Sequence, residues 1–256
     1  MGSKLKRRKS TSAAVYVPVA ALIIIFLTMF GTSIFFKISA IEIKTNTAGS
    51  AARYSDEQIL KASGIRVGEN IVLVSTLDAK KGILKALPYI RDVSITRDMP
   101  DRIVIEANYS SEIATVEWQG GVAVIDSDGK VLDHVDKAPD NLIKIIGLNP
   151  VGAREGDVLT VEYSGLTRLT SMIEVLKTIE GAEMNDKVSY LDVTNISKIS
   201  FGYLARFNVL LGVSEGVKNK VNYLPEEISK VEAKGQDDSP GTLNMSIKPW
   251  RWEPAR

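Results

Sequence analysis

The sequence predicts an α+β protein carried on a single N-terminal transmembrane helix, a small mixed unit coming first and a β-rich unit after it. Three observations lead there. Ser10 to Phe36 runs for 27 residues without a charged side chain. The residues that follow read as strand, helix, helix, strand, strand over about seventy positions. Beyond residue 110, short alternating runs separated by Gly- and Asp-containing turns outnumber the helical patterns.

A helix over the apolar residues 13–36 would be about 36 Å long, enough for a hydrocarbon core of about 30 Å. Pro18 falls near its start, where a kink is tolerated. Lys4, Lys6, Arg7, Arg8 and Lys9 precede the span, and no acidic residue occurs before Glu42. Positive charge resists translocation, so residues 1–12 are expected in the cytoplasm and Lys37 onward outside a cell membrane. A cleaved signal peptide is the rival reading. Its apolar region would be shorter, about 7–15 residues, and followed by a small-residue cleavage site; here only Ile38-Ser39-Ala40 offers one.

The chain carries a formal charge of +1; without the five basic residues ahead of the span, 27 basic residues face 31 acidic ones, or −4. No basic face is evident, so nucleic acid is not an expected partner. Cysteine is absent, which excludes disulfides, a thiolate nucleophile and Cys-ligated metal. The exported 220 residues are enough to build a core without such staples.

Ile38, Ala40, Ile41 and Ile43 suggest a first strand, followed by a polar loop from Thr45 to Arg53. Ser55 with Gln58 has the spacing of a capping box, Asp56 and Glu57 favour the positive first turn, and Tyr54 with Ile59 has that of a hydrophobic staple. Gly64 stops this helix. A second helix starts at Ser75 or Thr76, turns Leu77, Ile83, Leu84 and Leu87 inward, and ends at Pro88. Val93 and Ile95, then Ile103 and Ile105, alternate in two strands joined through Asp98 to Asp101.

In the β-rich part, Ile113 to Trp118, Val122 to Ile125, Lys130 to Val135 and Leu142 to Leu148 read as strands. Leu166, Leu169, Met172, Ile173, Leu176 and Ile179 mark an amphipathic helix ending at Gly181. Two strands are expected over Lys187 to Val193 and Leu204 to Leu211. Val217, Val221, Leu224, Ile228 and Val231 form a helical seam that packs on the domain's own sheet, with a coiled-coil partner as the alternative; Pro225 is expected to kink or break it. A polar loop, Lys234 to Pro240, leads to a last strand with Leu243, Met245 and Ile247 alternating, and Trp250-Arg251-Trp252 lies beyond it.

Taken together, Gly68-x-Asn70-Ile71, Leu84-x-x-Leu87-Pro88-Tyr89-Ile90, Val93-x-Ile95-x-Arg97, Pro100 and Ile103-x-Ile105 resemble a POTRA domain. Ile125-Asp126, Gly129-Lys130-Val131-Leu132, Leu191-Asp192-Val193, Val209-Leu210-Leu211-Gly212 and the strand near Gly241 to Met245 extend the resemblance to the DivIB/FtsQ cell-division family. The resemblance implies a POTRA domain over 37–109, a β domain over 110–233 and a C-terminal loop, strand and aromatic tail over 234–256. It implies a bitopic divisome protein at the septum that binds small anchored partners of the FtsB/DivIC and FtsL type and helps regulate septal peptidoglycan synthesis. Where the family usually has Glu-Arg-x-Pro after the last POTRA strand, this chain has Tyr109, Ser110, Ser111 and Glu112, so a differently built hinge is expected.

Enzyme chemistry finds little support. His134 is the sole histidine and cannot by itself build a zinc site or an obvious triad. Asp126-Ser127-Asp128-Gly129 opens like a calcium loop but lacks the later ligands, and a hairpin turn explains it better. A phosphate-loop signature, Gly-x-x-x-x-Gly-Lys-Ser/Thr, is absent. The expectation is a non-enzymatic interaction protein with no cofactor, metal or small-molecule substrate; an anchored cell-wall enzyme with an unrecognised carboxylate site is the alternative. The expected partner site is Thr242, Leu243, Asn244, Met245, Ser246 and Ile247, with Trp250 and Trp252. As the last strand, this segment is expected at a sheet edge, where a partner segment could pair with it. The resemblance points to the same strand, with Asn244 standing where the family usually has Asp.

Overall fold

The structure, a computed structural model, describes residues 16–26, 36–46, 53–233 and 240–254. Residues 16–26 are helical and exposed. The rest of the expected span over 13–36, the tail over 1–12 and most of the loop over 234–240 lie outside the described residues. Among those described, no helix is long and apolar enough to cross a membrane.

The first unit has strand β1 (Ala40–Asn46), helices α1 (Asp56–Ser63) and α2 (Thr76–Ala86), and strands β2 (Ile90–Asp98) and β3 (Arg102–Tyr109). β3 is central, parallel to β1 and antiparallel to β2. Ser55 and Gln58 form the expected reciprocal cap on α1, and Gly64 ends it in the left-handed conformation. Ser55→Ala is expected to lower unfolding free energy by about 1 kcal/mol, read from a denaturant titration. Ser75 caps α2, and Ala79 and Ile83 are its buried residues. Leu77, expected inward, is exposed instead. It sits two positions, or about 200°, from Ala79 and so faces away from the core.

The second unit is one nine-stranded sheet. In chain order its strands are β4 (Ala114–Trp118), β5 (Gly121–Ile125), β6 (Val131–Val135), β7 (Ile143–Ile146), β10 (Val188–Asp192), β11 (Ile199–Tyr203), β12 (Phe207–Gly212), β13 (Gly241–Asn244) and β14 (Arg251–Pro254). Two short strands, β8 (Pro150–Gly152) and β9 (Thr160–Val161), pair separately. In space the large sheet runs β14-β13-β12-β11-β10-β7-β4-β5-β6. Helices α3 (Leu166–Gly181) and α4 (Val217–Val231) add their apolar stripes to its core.

Several expectations change here. The strand expected from Leu204 begins at Phe207: Leu204 and Ala205 have φ of 51° and 57° and form the turn after β11, which the sequence reading missed. Pro225 lies within a continuous α4. It is on the exposed side, and losing one backbone bond costs about 3 kcal/mol. The five seam residues, all buried in the domain's own core, offset that at about 1.5–3 kcal/mol each.

The junction between the units is tightly tied. The Arg91 guanidinium donates to Asp128 Oδ2 at 3.1 Å and to both carboxylate oxygens of Glu180, at 3.2 and 3.1 Å. Lys130 Nζ donates to the Ile90 carbonyl at 2.7 Å, and Leu132 of β6 is buried in the first unit's core. Within the expected hinge, buried Ser110 donates to Asp126 Oδ2 at 2.8 Å, while Glu112 pairs with Arg53 and accepts from the Tyr89 hydroxyl. Burial, and then Glu112 beside it, push the Tyr89 hydroxyl upward, so it stays protonated and donates. Asp126 closes the turn between β5 and β6: its Oδ1 accepts from the backbone N–H of Asp128 and Lys130. The Asp126-to-Gly129 stretch is thus a hairpin turn.

Candidate partner interface

The C-terminal segment is placed by β12. Phe207, Asn208, Val209 and Leu210 lie opposite Gly241, Thr242, Leu243 and Asn244 in a parallel pair. A polar ladder crosses the outer face: Tyr190 donates to Asn208 Oδ1 at 3.0 Å, and Asn208 Nδ2 donates to Thr242 Oγ1 at 3.3 Å. Leu243 and Met245, at 2% and 1% exposure, fill the core on the other face. Asn244 ends β13 because its Oδ1 accepts from both the backbone N–H and the hydroxyl of Ser246.

The chain then turns back. Gly241 to Asn244 pair antiparallel with Pro254 to Arg251, so β13 is bonded on both sides and β14 is the outermost strand. The expectation that Thr242 to Ile247 forms the sheet edge is therefore corrected. The aromatic tail supplies one more strand, held by Trp252 packing edge-on against Phe207 with ring centroids 5.3 Å apart. Pro254 at the end of β14 suits an edge position, where a missing N–H removes no ladder bond.

Of the expected site residues, Leu243 and Met245 face the core; Thr242, Asn244 and Ser246 are half-buried; and Ile247 is exposed. Trp250 is half-buried against Tyr223 of α4, centroids 5.8 Å apart, and the Lys248 ammonium stands 5.0 Å from the Trp250 ring and 5.9 Å from that of Tyr223. A cleft of about 380 Å³ opens between these side chains and the start of α4. It offers an aromatic wall with a cation at its mouth, suited to an apolar or acidic side chain of a pairing segment. Beside it, β14 presents one row of backbone N–H and C=O groups outward, with Arg251 and Glu253 exposed along it. The sequence reading missed Glu253, Tyr223 and Lys248. The alternation of Trp252 with Arg251 and Glu253 was the available signal for a strand.

Residues 36–107 match the family model described as POTRA domain, FtsQ-type. The chain is 25% identical over 229 residues to the cell division protein DivIB of Clostridium tetani, covering 89% of this chain and 82% of that protein. It is 24% identical over 205 residues to the cell division protein FtsQ of Corynebacterium glutamicum, covering 77% and 78% respectively.

Proposed function

We propose, for a chain that belongs to the DivIB/FtsQ family of cell-division proteins, a role as the membrane-anchored docking member of a division complex. The uncharged stretch over 13–36 anchors it, the N-terminus stays in the cytoplasm, and both described units stand outside the membrane at the division septum. Its partners are small bitopic division proteins of the FtsB/DivIC and FtsL type, through which it helps regulate septal peptidoglycan synthesis. A partner segment adds to the open edge of β14 as a further strand and sets a side chain into the cleft beside Trp250.

The observation that carries this reading is the edge of β14, unpaired among the described residues, beside the aromatic cleft. Main-chain bonds along such an edge supply affinity, and the adjoining pocket supplies specificity. Co-purification of the full chain from solubilised membranes tests it. The small partners are expected to accompany the full chain and to be lost from a chain ending at Ile247, which lacks β14 and keeps β13. Retention of the partners by the shortened, still folded chain would place the contact elsewhere.

A further inference from the structure

We infer that Val67, Val72, Leu73 and Leu77 lie in the headgroup layer of the membrane from which the chain emerges, seating the first unit directly on the lipid surface. The inference rests on the anchor reading above. These four side chains are 62%, 51%, 81% and 71% exposed. Nothing among the described residues covers them, yet the segment carrying them is fixed. Asn70 Oδ1 accepts from Val72 N–H at 2.9 Å, and the Asn70 carbonyl accepts from Leu73 N–H at 3.0 Å. The Arg97 guanidinium donates to the Ile71 and Val74 carbonyls at 2.9 and 2.7 Å. Ile71 between them is fully buried. The chain is thus locked with its core residue inward and its neighbours outward.

What covers them follows from where the segment is tied. Ile71 N–H donates to the carbonyl of Phe36 at 2.8 Å, Ile38 N–H to Glu69, and Gly68 N–H to Ile38. Phe36 is the last residue of the uncharged stretch. Leu73 follows Ile71 by two residues, a reach of at most about 7 Å. The headgroup layer on each side of the hydrocarbon is itself about 5–8 Å thick. Side chains held that close to the end of a span stand within the layer, where apolar groups bury about 5–10 Å deep. Exposed Lys37 and Arg66 in the same segments suit lipid phosphates. Glu69 and Asp78 stand there too, so the drive is apolar burial rather than net charge.

Because the chain has no cysteine, single-cysteine variants of the full chain can each carry one polarity-sensitive fluorophore. The variants Leu73→Cys, Leu77→Cys, Phe26→Cys and Tyr163→Cys are reconstituted into phosphatidylcholine–phosphatidylglycerol vesicles containing nitroxide-labelled lipid. Labels at 26, 73 and 77 are expected to emit blue-shifted and to be quenched severalfold more than the label at 163, an exposed site in the second unit. Adding Leu77→Asp should reduce quenching at 73. Quenching at 26 with 73 and 77 behaving like 163 overturns the inference and leaves the anchor standing. A blue shift at 73 without lipid quenching also overturns it, since a protein segment then covers the patch. No quenching at 26, with protein that fails to float with the vesicles, overturns the anchor reading and this inference with it.

Discussion

Gly241→Ala is expected to abolish partner capture while leaving the rest of the molecule folded. Gly241 is where β13 lies against the returning tail, and a Cβ there would stand 2.5 Å from the Glu253 carbonyl oxygen and 2.5 Å from Trp252 Cη2. The ring could turn aside, but the carbonyl belongs to the backbone of β14. The strand must therefore move away, breaking its pairing with β13 and withdrawing Trp252 from Phe207. Partner affinity should fall by about a hundredfold or more, equivalent to about 2.7 kcal/mol. Leu243 and Met245 stay packed beneath β13 while Phe207 loses the cover of Trp252, so the unfolding midpoint should fall by only about 2–4 °C, the shift that about 1 kcal/mol gives. Adding Trp252→Ala should not rescue binding, because the carbonyl clash remains. Wild-type affinity in Gly241→Ala would mean that β14 is not the docking strand.

Gly147→Ala should produce the largest loss of stability. Gly147 follows β7 with φ of 84°, a conformation costing an alanine about 1–2 kcal/mol. Its Cβ would also stand 2.4 Å from both the backbone nitrogen and the Cα of Thr194, just beyond β10. Neither atom can swing aside. Val193 N–H donates to the Ile146 carbonyl at 2.9 Å at this point, and Arg168 donates to the Gly147 carbonyl at 3.1 Å. The parallel β7–β10 pair joins β4, β5 and β6 to the strands leading to β14. Wedging it apart adds about 1–3 kcal/mol of packing strain, so about 2–5 kcal/mol in all. Total stabilities of about 5–15 kcal/mol make this a severe lesion. A thermal scan should show a midpoint lowered by about 10 °C; a shift below about 2 °C would contradict the account.

What the sequence revealed follows the range of the interactions involved. The cap at Ser55, the stop at Gly64 and the hairpin turn at Asp126 depend on side chains reaching a few residues along the chain, and each stands where local chemistry puts it. Strand β11 was missed because its run from Ile199 to Tyr203 is short and contains Gly202. The apolar Leu204 and Ala205 imitated a strand while forming a turn. Pro225 gave a true local signal that five buried seam residues override. In the candidate site, the segment was legible and its place in the sheet was not. No local pattern indicates that residues after Pro249 turn back and take the edge from β13, since that depends on Trp252 finding Phe207 some 45 positions earlier. The junction was equally hidden: Arg91 meets Glu180 across 89 positions.

Site-specific photocrosslinking in dividing cells tests the central claim most directly. A photoreactive residue is placed in turn at Arg251 and Glu253 on β14, at Ile247 beside the cleft, and at the exposed Tyr163 ahead of α3. Crosslinks to a small bitopic division protein are expected from 251, 253 and 247, with none from 163, and Gly241→Ala should remove them. Equal or stronger crosslinking to that partner from 163, with 251 and 253 silent, would contradict docking at the β14 edge.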